Sequence, residues 1–299
     1  MRNLLPLIKW ILFNTVCLRK PGVFLSIRAF GIRIFAALGL CERKHIQFLE
    51  QIVRPGSTAV DVGANCGVYA VVLSQLVGKS GMVWAFEPVG STFEVLKRET
   101  TKKGNIRCEQ IALSNECRDN VPMAVPLVFG QIPEPSLASL GEPIVHCYSP
   151  IGRWMDRHLN SEESKLDHIL VTTRTLDSFC HQFRNVSFIK VDVEGSEMDF
   201  LEGARAVLAK FSPVVQFESH DRDLSAFESY ANDLGFKLGV LSEKGKLKEI
   251  NDADLADRTL VNFYMIPAGR QHDLFESCSG TQIEARQILV AHREQEGCF

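Results

Sequence analysis

No Cys-x-x-Cys pair and no metal-type spacing of cysteine and histidine occurs in this chain, although 9 of its 299 residues are cysteine. An odd, unpatterned set of cysteines argues against a disulfide framework and for reduced thiols in a cytoplasmic setting. Basic charge is not in excess: the net charge is −3, which removes the electrostatic case for nucleic acid as a partner. Long apolar runs are missing too. Lys9 and Asn14 interrupt the stretch from Leu4 to Leu18, and Arg28 and Arg33 interrupt Val23 to Leu40. Neither reaches the ~20 apolar residues of a spanning helix. No small-x-small cleavage site follows the first run, so a signal peptide fits poorly. There is no Gly-Lys-Ser/Thr, which excludes a P-loop, and no Gly-x-Gly-x-x-Gly. No internal repeat and no low-complexity tract is present.

Acids are absent from the first 41 residues, which carry Arg2, Lys9, Arg19, Lys20, Arg28 and Arg33. With Trp10, Phe13, Phe24, Phe30 and Phe35 interspersed, residues 1–41 read as a basic, apolar helical extension. It either lies on a membrane surface, giving peripheral contact, or docks on the following domain. Residues 42–267 read as one α/β domain and 268–299 as a polar tail.

The most informative stretch is Val60-Asp61-Val62-Gly63-Ala64-Asn65-Cys66-Gly67. A buried strand runs into a glycine turn and then a helix from about Tyr69. Gly63 and Gly67 let the backbone approach a ligand without a Cβ in the way. The first N–H groups of the helix form an anion site. Asp61 at the strand end repels a diphosphate but suits an ammonium. The methionine half of S-adenosylmethionine offers both an ammonium and a carboxylate. The plainer alternative is a strand-turn-helix with structural glycines.

A second strand, Gly81 to Pro88, ends in Glu87, about 20 residues past the glycines, where an acid grips ribose hydroxyls in open α/β sheets. The alternative is a solvated strand-end glutamate. A third strand carries Lys190, Asp192 and Glu194 at alternate positions, so period two puts all three on one face. A buried parallel strand is ordinarily apolar throughout, so three ionisable groups at its carboxyl end mark a site or an ion-pair network.

Together, Asp61-Val-Gly-Ala-Asn-x-Gly, Phe86-Glu87-Pro88, Ala112-Leu-Ser-Asn115, Thr175-Leu-Asp-Ser-Phe179 and Ile189-Lys-Val-Asp-Val-Glu-Gly-Ser-Glu197 resemble the FkbM family of S-adenosylmethionine-dependent methyltransferases. The resemblance runs in order from about Thr58 to Glu218. It implies a class I methyltransferase (Rossmann-like) fold: a seven-stranded, mostly parallel sheet with helices on both faces. It implies S-adenosylmethionine as cofactor and O-methylation of a hydroxyl on a sugar, glycan or other small molecule. By the same resemblance Asp61, Gly63, Ala64, Asn65 and Gly67 hold the methionine end and Glu87 the ribose. The region from Gln110 to Ala112 lines the adenine, with Glu109 or Gln110 facing it. The competing readings are an NAD-type oxidoreductase, opposed by the missing third glycine, and a non-catalytic membrane-associated binding module.

Proton removal from a hydroxyl acceptor needs a carboxylate or histidine in reach. The candidates are Asp192, Glu194 and His220, with Lys190 tuning the carboxylates. A Mg²⁺ ion on Asp192, Glu194 and Glu218 is chemically allowed, but no spacing compels it. Residues 116–171 read as a substrate-lid insertion, with 121–129 as an edge hairpin or irregular strand, 133–150 loop-rich, and Ser136, Ser139, His146, Tyr148, Arg153 and His158 as candidate contacts. Ser196 to Lys210 reads as a single helix.

Overall fold

The computed structural model describes residues 43–128, 132–133, 138–140, 165–219, 223–257, 260–270 and 274. The extension 1–41, most of the 129–164 stretch, His220 and nearly all of the tail lie outside the described residues. So do the candidate contacts Ser136, His146, Tyr148, Arg153 and His158.

Helix α1 (Arg43–Ile52) buries Phe48, Leu49 and Ile52. Strand β1 (Thr58–Val62) is buried at every position, as its β-branched apolar run requires. Helix α2 (Val68–Val77) and strand β2 (Met82–Phe86) follow. Then come helix α3 (Gly90–Thr100) and strand β3 (Ile106–Glu109).

The chain next leaves the central sheet. Strands β4 (Ala112–Leu113), β5 (Arg118–Val128), β6 (Ile132–Pro133) and β7 (Lys165–Arg174) form a second sheet, in the order β4-β7-β5-β6. The edge hairpin or irregular strand expected over 121–129 is the regular strand β5, and it belongs to a sheet of its own. The two ends of the 116–171 insertion are long antiparallel strands, with Val121 opposite Val171 and Met123 opposite Ile169. Their inward positions bury Met123, Val125 and Val171 against Val89 and Ala112. The two prolines of β5 are what limited the sequence reading to an edge or irregular strand.

A 3₁₀ helix (Leu176–Gln182) starts at Thr175, whose hydroxyl accepts from the Ser178 N–H. Strand β8 (Val186–Val191) precedes helices α4 (Glu197–Gly203) and α5 (Arg205–Phe211). The single helix expected over Ser196–Lys210 is thus broken at Ala204. The break has two causes. A Cβ at Gly203 would lie 2.0 Å from the Ser114 carbonyl oxygen, so α4 ends jammed against the end of β4. The Asp177 carboxylate accepts from Ala206 N (2.9 Å) and Val207 N (2.8 Å), starting α5 afresh.

Strand β9 (Val214–Glu218), helix α6 (Ser225–Asp233) and strand β10 (Phe236–Leu241) come next. Strand β11 (Leu247–Glu249), helix α7 (Asp252–Ala256) and strand β12 (Asn262–Pro267) complete the fold. The central sheet runs β11-β10-β12-β9-β8-β1-β2-β3. Strands β9, β8, β1, β2 and β3 are parallel, while β12 is antiparallel to both neighbours. This is the class I methyltransferase arrangement. The count is eight rather than the expected seven, because Leu247–Glu249 hairpins onto β10 at the edge.

Core packs on both faces. Val60, Phe86, Ile189, Phe217 and Phe200 share one side. Ala59, Phe188, Val214, Tyr264 and Leu73 share the other, where Leu274 also packs, so part of the expected tail belongs to the domain. The strand order reverses between β1 and β8, the position where open α/β sheets bind ligands beyond the strand carboxyl ends.

Candidate active site

The turn after β1 is held in place from three sides. Gly63 and Ala64 donate to the Phe86 carbonyl oxygen at 3.0 and 2.9 Å. Asn65 N donates to Glu87 Oε2 at 2.9 Å, and Cys66 N to Asn65 Oδ1 at 2.8 Å. Gly67 N closes the turn on the Ala64 carbonyl. The turn amides are therefore already used inside the protein, and the anion-binding capacity expected there falls to the first turn of α2. Its N-cap, Gly67, offers no side chain to that turn. Gly63 has φ +75°, and a Cβ there would meet the Asp192 carbonyl oxygen at 1.9 Å. Glycine is needed for conformation and for space alike. Asn65 is left-handed at φ 49°, which asparagine tolerates better than most residues.

Glu87 is buried, and its other oxygen accepts from Val89 N at 2.9 Å. Burial pushes its carboxyl up to about 7, against the pull of the Val89 and Asn65 N–H groups. Each oxygen keeps a second lone pair for a ligand hydroxyl. At the end of β3, Glu109 is tied to Arg107 at 2.7 Å; beyond it Gln110 is exposed beside Gly90, and Ala112 is buried.

Asp61 is 1% exposed, and neither of its oxygens has a hydrogen-bond partner among the described residues. Burial raises its carboxyl to about 6; the neighbouring Lys190 opposes that shift and Asp192 adds to it. The Ala70 N–H also favours the anion, from outside hydrogen-bond geometry. Asp61 and Lys190 are register partners across β1 and β8. Lys190 Nζ donates to Asp192 Oδ2 at 2.7 Å and lies 4.6 Å from the Tyr69 ring centroid. Burial alone would depress this ammonium. Asp192, Asp61 and Glu218 instead hold it above its ordinary value.

The expectation that Lys190, Asp192 and Glu194 share one strand face holds only in part. Strand β8 stops at Val191, and Glu194 turns left-handed at φ 49°, so period two ends before it. The turn nevertheless brings Asp192 and Glu194 to the same cavity, of about 710 Å³. Glu218, at the end of β9, joins them there. Burial, with Asp192 and Glu194 nearby, pushes the Glu218 carboxyl up, toward the protonated form that hydrogen-bonds with Asp192. Among the described residues no three or more His, Cys, Asp or Glu side chains are placed together so as to hold a metal ion.

Several cavity residues escaped sequence reasoning. Ser139, from the lid set, does line it, and Val121 and Thr173 come from the second sheet. Met198 and Phe227 are apolar helix residues that carry no signal in the sequence marking them as cavity residues. Ser114 and Asn115 lay in a family-like stretch with no role attached. Asn115 Nδ2 in fact bonds Asp199 and Glu202 of α4 at 3.2 and 3.1 Å. Glu197, buried and raised to about 6 chiefly by burial, accepts from Gly195 N at 3.1 Å and secures the same turn.

A buried orphan carboxylate, an uncapped helix start and a glutamate with spare lone pairs form a donor and acceptor set that fits S-adenosylmethionine. No helix among the described residues is long and apolar enough to cross a membrane.

Comparisons with known proteins bear on the same stretch. Residues 61–238 match the family described as the methyltransferase FkbM domain. No curated protein matches. Among solved structures, the chain is similar to an FkbM methyltransferase from Methylobacillus flagellatus at 17% identity and TM-score 0.43. That match covers 82% of this chain but only 57% of the Methylobacillus protein. A SAM-dependent methyltransferase from Aquifex aeolicus is 13% identical, with TM-score 0.38 and coverage of 74% of this chain and 88% of that one. Fibrillarin from Aeropyrum pernix, solved with bound S-adenosyl-L-methionine, is 12% identical, with TM-score 0.37 and coverage of 72% and 68%. The family match spans more than half of the sequence and contains the glycine turn, Glu87 and the Lys190–Asp192 pair: the chain belongs to the FkbM family of S-adenosylmethionine-dependent methyltransferases.

Proposed function

We propose that the protein methylates a hydroxyl of a sugar, glycan or other small molecule bound in the cavity bordered by Asp192, Glu194 and Glu218. The observation that carries this reading is the Lys190–Asp192 pair at 2.7 Å, whose Asp192 lines that cavity beyond the ends of β8 and β9. Asp61 takes the cofactor's ammonium and the start of α2, beyond Gly67, its carboxylate. Gly63, Ala64 and Asn65 shape the turn beneath it. Glu87 takes the ribose hydroxyls, and Gln110 and Ala112 border the base. Bound there, S-adenosylmethionine supplies a methyl group already activated on a sulfonium.

The protein's remaining tasks are alignment and proton removal. Asp192 receives Lys190 and Glu218 as donors, which weakens it as a base and suits it to orient the acceptor's O–H. Glu194, on the same wall, takes the proton. Ser114, Asn115 and Ser139 offer hydrogen bonds to further hydroxyls, and Val121, Met198 and Phe227 offer apolar contact. Residues 1–41, being basic and apolar, bring the domain to a membrane surface or cover its edge.

The test is incubation with methyl-labelled S-adenosylmethionine and a panel of sugars, glycans and simple polyols. Label in an ether product, lost in Asp192→Asn, is the expected result. Transfer only to amines, or label unaffected by Asp192→Asn, contradicts the reading.

A further inference from the structure

Four adjacent strands place polar side chains in one row. Asp61 pairs with Lys190, Lys190 with Gln216, and Gln216 with Tyr264. Register partners project on the same face. Here it is the face under α1 and α2, which is otherwise filled by Phe188, Val214, Leu73 and Ala59. All four row members are buried. A polar row in the middle of a parallel sheet opposes stability unless its groups are satisfied.

They are not satisfied by protein atoms. Both Asp61 oxygens and Gln216 Oε1 have no hydrogen-bond partner among the described residues. The Gln216 amide nitrogen is used, donating to Asn262 Oδ1 at 2.7 Å. At the far end, Tyr264 meets His45 Nδ1 of α1 at 2.5 Å. Between the orphan acceptors lies Lys190, whose N–H groups face the Asp192 carboxylate and the Tyr69 ring among the described residues. Neighbouring strands are ~4.8 Å apart, too far for a direct bond between parallel side chains but a span that one water bridges.

We propose that Asp61, Lys190 and Gln216 share an internal water site, which ties the cofactor turn to the acceptor cavity through Lys190. The ligand class follows from the partners. A monovalent cation is repelled by the Lys190 ammonium, an anion by Asp61, and an apolar group leaves three acceptors bare. Water supplies two donors and two acceptors, and buried waters ordinarily make about three hydrogen bonds. In this arrangement Gln216 is a positioning residue: through water it fixes the Lys190 stem so that Nζ points at Asp192. One Asp61 oxygen remains for a ligand's ammonium. The site stands independently of which acceptor the enzyme methylates.

A crystal structure of the full chain, resolved well enough to show ordered water, tests this directly. Water within hydrogen-bond distance of Gln216 Oε1 and of Lys190 Nζ or Asp61 is expected; dry, close-packed atoms there overturn the proposal. Thermal melting of Gln216→Leu in an Asn262→Ala background, where the direct bond to the amide nitrogen is already gone, measured against Asn262→Ala alone, gives a second answer. A bridging water loses a partner in that variant, and the melting temperature falls by about 2–4 °C. A dry orphan is relieved by leucine, and an unchanged or raised melting temperature overturns the proposal.

Discussion

A Cβ on Gly63 would lie 1.9 Å from the carbonyl oxygen of Asp192. The turn assigned to the cofactor and the strand end assigned to the acceptor are thus packed backbone against backbone. They are joined further by Asp192 N donating to the Val62 carbonyl at 3.0 Å. Gly63→Ala must displace one from the other, on top of about 1–2 kcal/mol of left-handed strain. S-adenosylmethionine affinity is expected to fall at least tenfold in this variant, by calorimetric titration. Gly203→Ala is the control. It meets the Ser114 carbonyl at 2.0 Å, so it destabilises the fold while leaving the turn untouched.

Glu87 gives a stability that depends on pH with a definite sign. Its folded carboxyl titrates near 7, above an ordinary glutamate value of 4.5. The folded state therefore holds the extra proton between these values, and Glu87's contribution is lost as pH rises through that window. The same sign holds for Asp61, raised to about 6. Glu87→Gln removes one of these terms. Melting temperatures from pH 5 to 8 are expected to fall less steeply in the variant, by an amount worth about 3 kcal/mol at most. Comparison with the parent protein cancels His45, which burial lowers to about 4 and whose contribution runs the opposite way.

The Lys190–Asp192 pair separates structure from chemistry. Asp192→Asn leaves a buried ammonium short of its nearest anion and is expected to cost about 3 kcal/mol, read by denaturant unfolding. Lys190→Met with Asp192→Asn removes both charges and restores most of that stability. Methyl transfer stays at least ~100-fold down in the single and the double variant, because orienting the acceptor needs the carboxylate.

Asp177, part of a stretch that resembles the family, serves the fold. Its carboxylate accepts from two N–H groups at the start of α5. Asp177→Ala is expected to cost about 1–2 kcal/mol while S-adenosylmethionine affinity stays within twofold.

Much of this was legible in the sequence because the signals were local. Alternating and β-branched runs mark β1, β2, β8 and β9, and glycine and acid spacing marks Gly63, Gly67 and Glu87. What escaped is what depends on distant contacts. The neighbourhood of Asp61 and Lys190 exists only because β1 lies beside β8. The left-handed turn at Glu194 breaks a periodicity that the residue types alone extend. The break at Ala204 is caused by Ser114 and Asp177, which are far away in the chain. The second sheet was obscured because β5 reads only as an edge or irregular strand and the strand it pairs with lies some forty residues on.

The central claim is that the glycine turn and Glu87 form an S-adenosylmethionine site. Calorimetric titration of S-adenosylmethionine into the full chain and into Glu87→Ala, with NAD as a separate titrant, tests it most directly. The account predicts micromolar-range binding of S-adenosylmethionine to the parent chain, at least tenfold weaker in the variant, and no heat with NAD. Equal affinity in the two proteins contradicts the site assignment. Failure of the folded parent chain to bind S-adenosylmethionine, or binding of NAD in its place, contradicts the whole account.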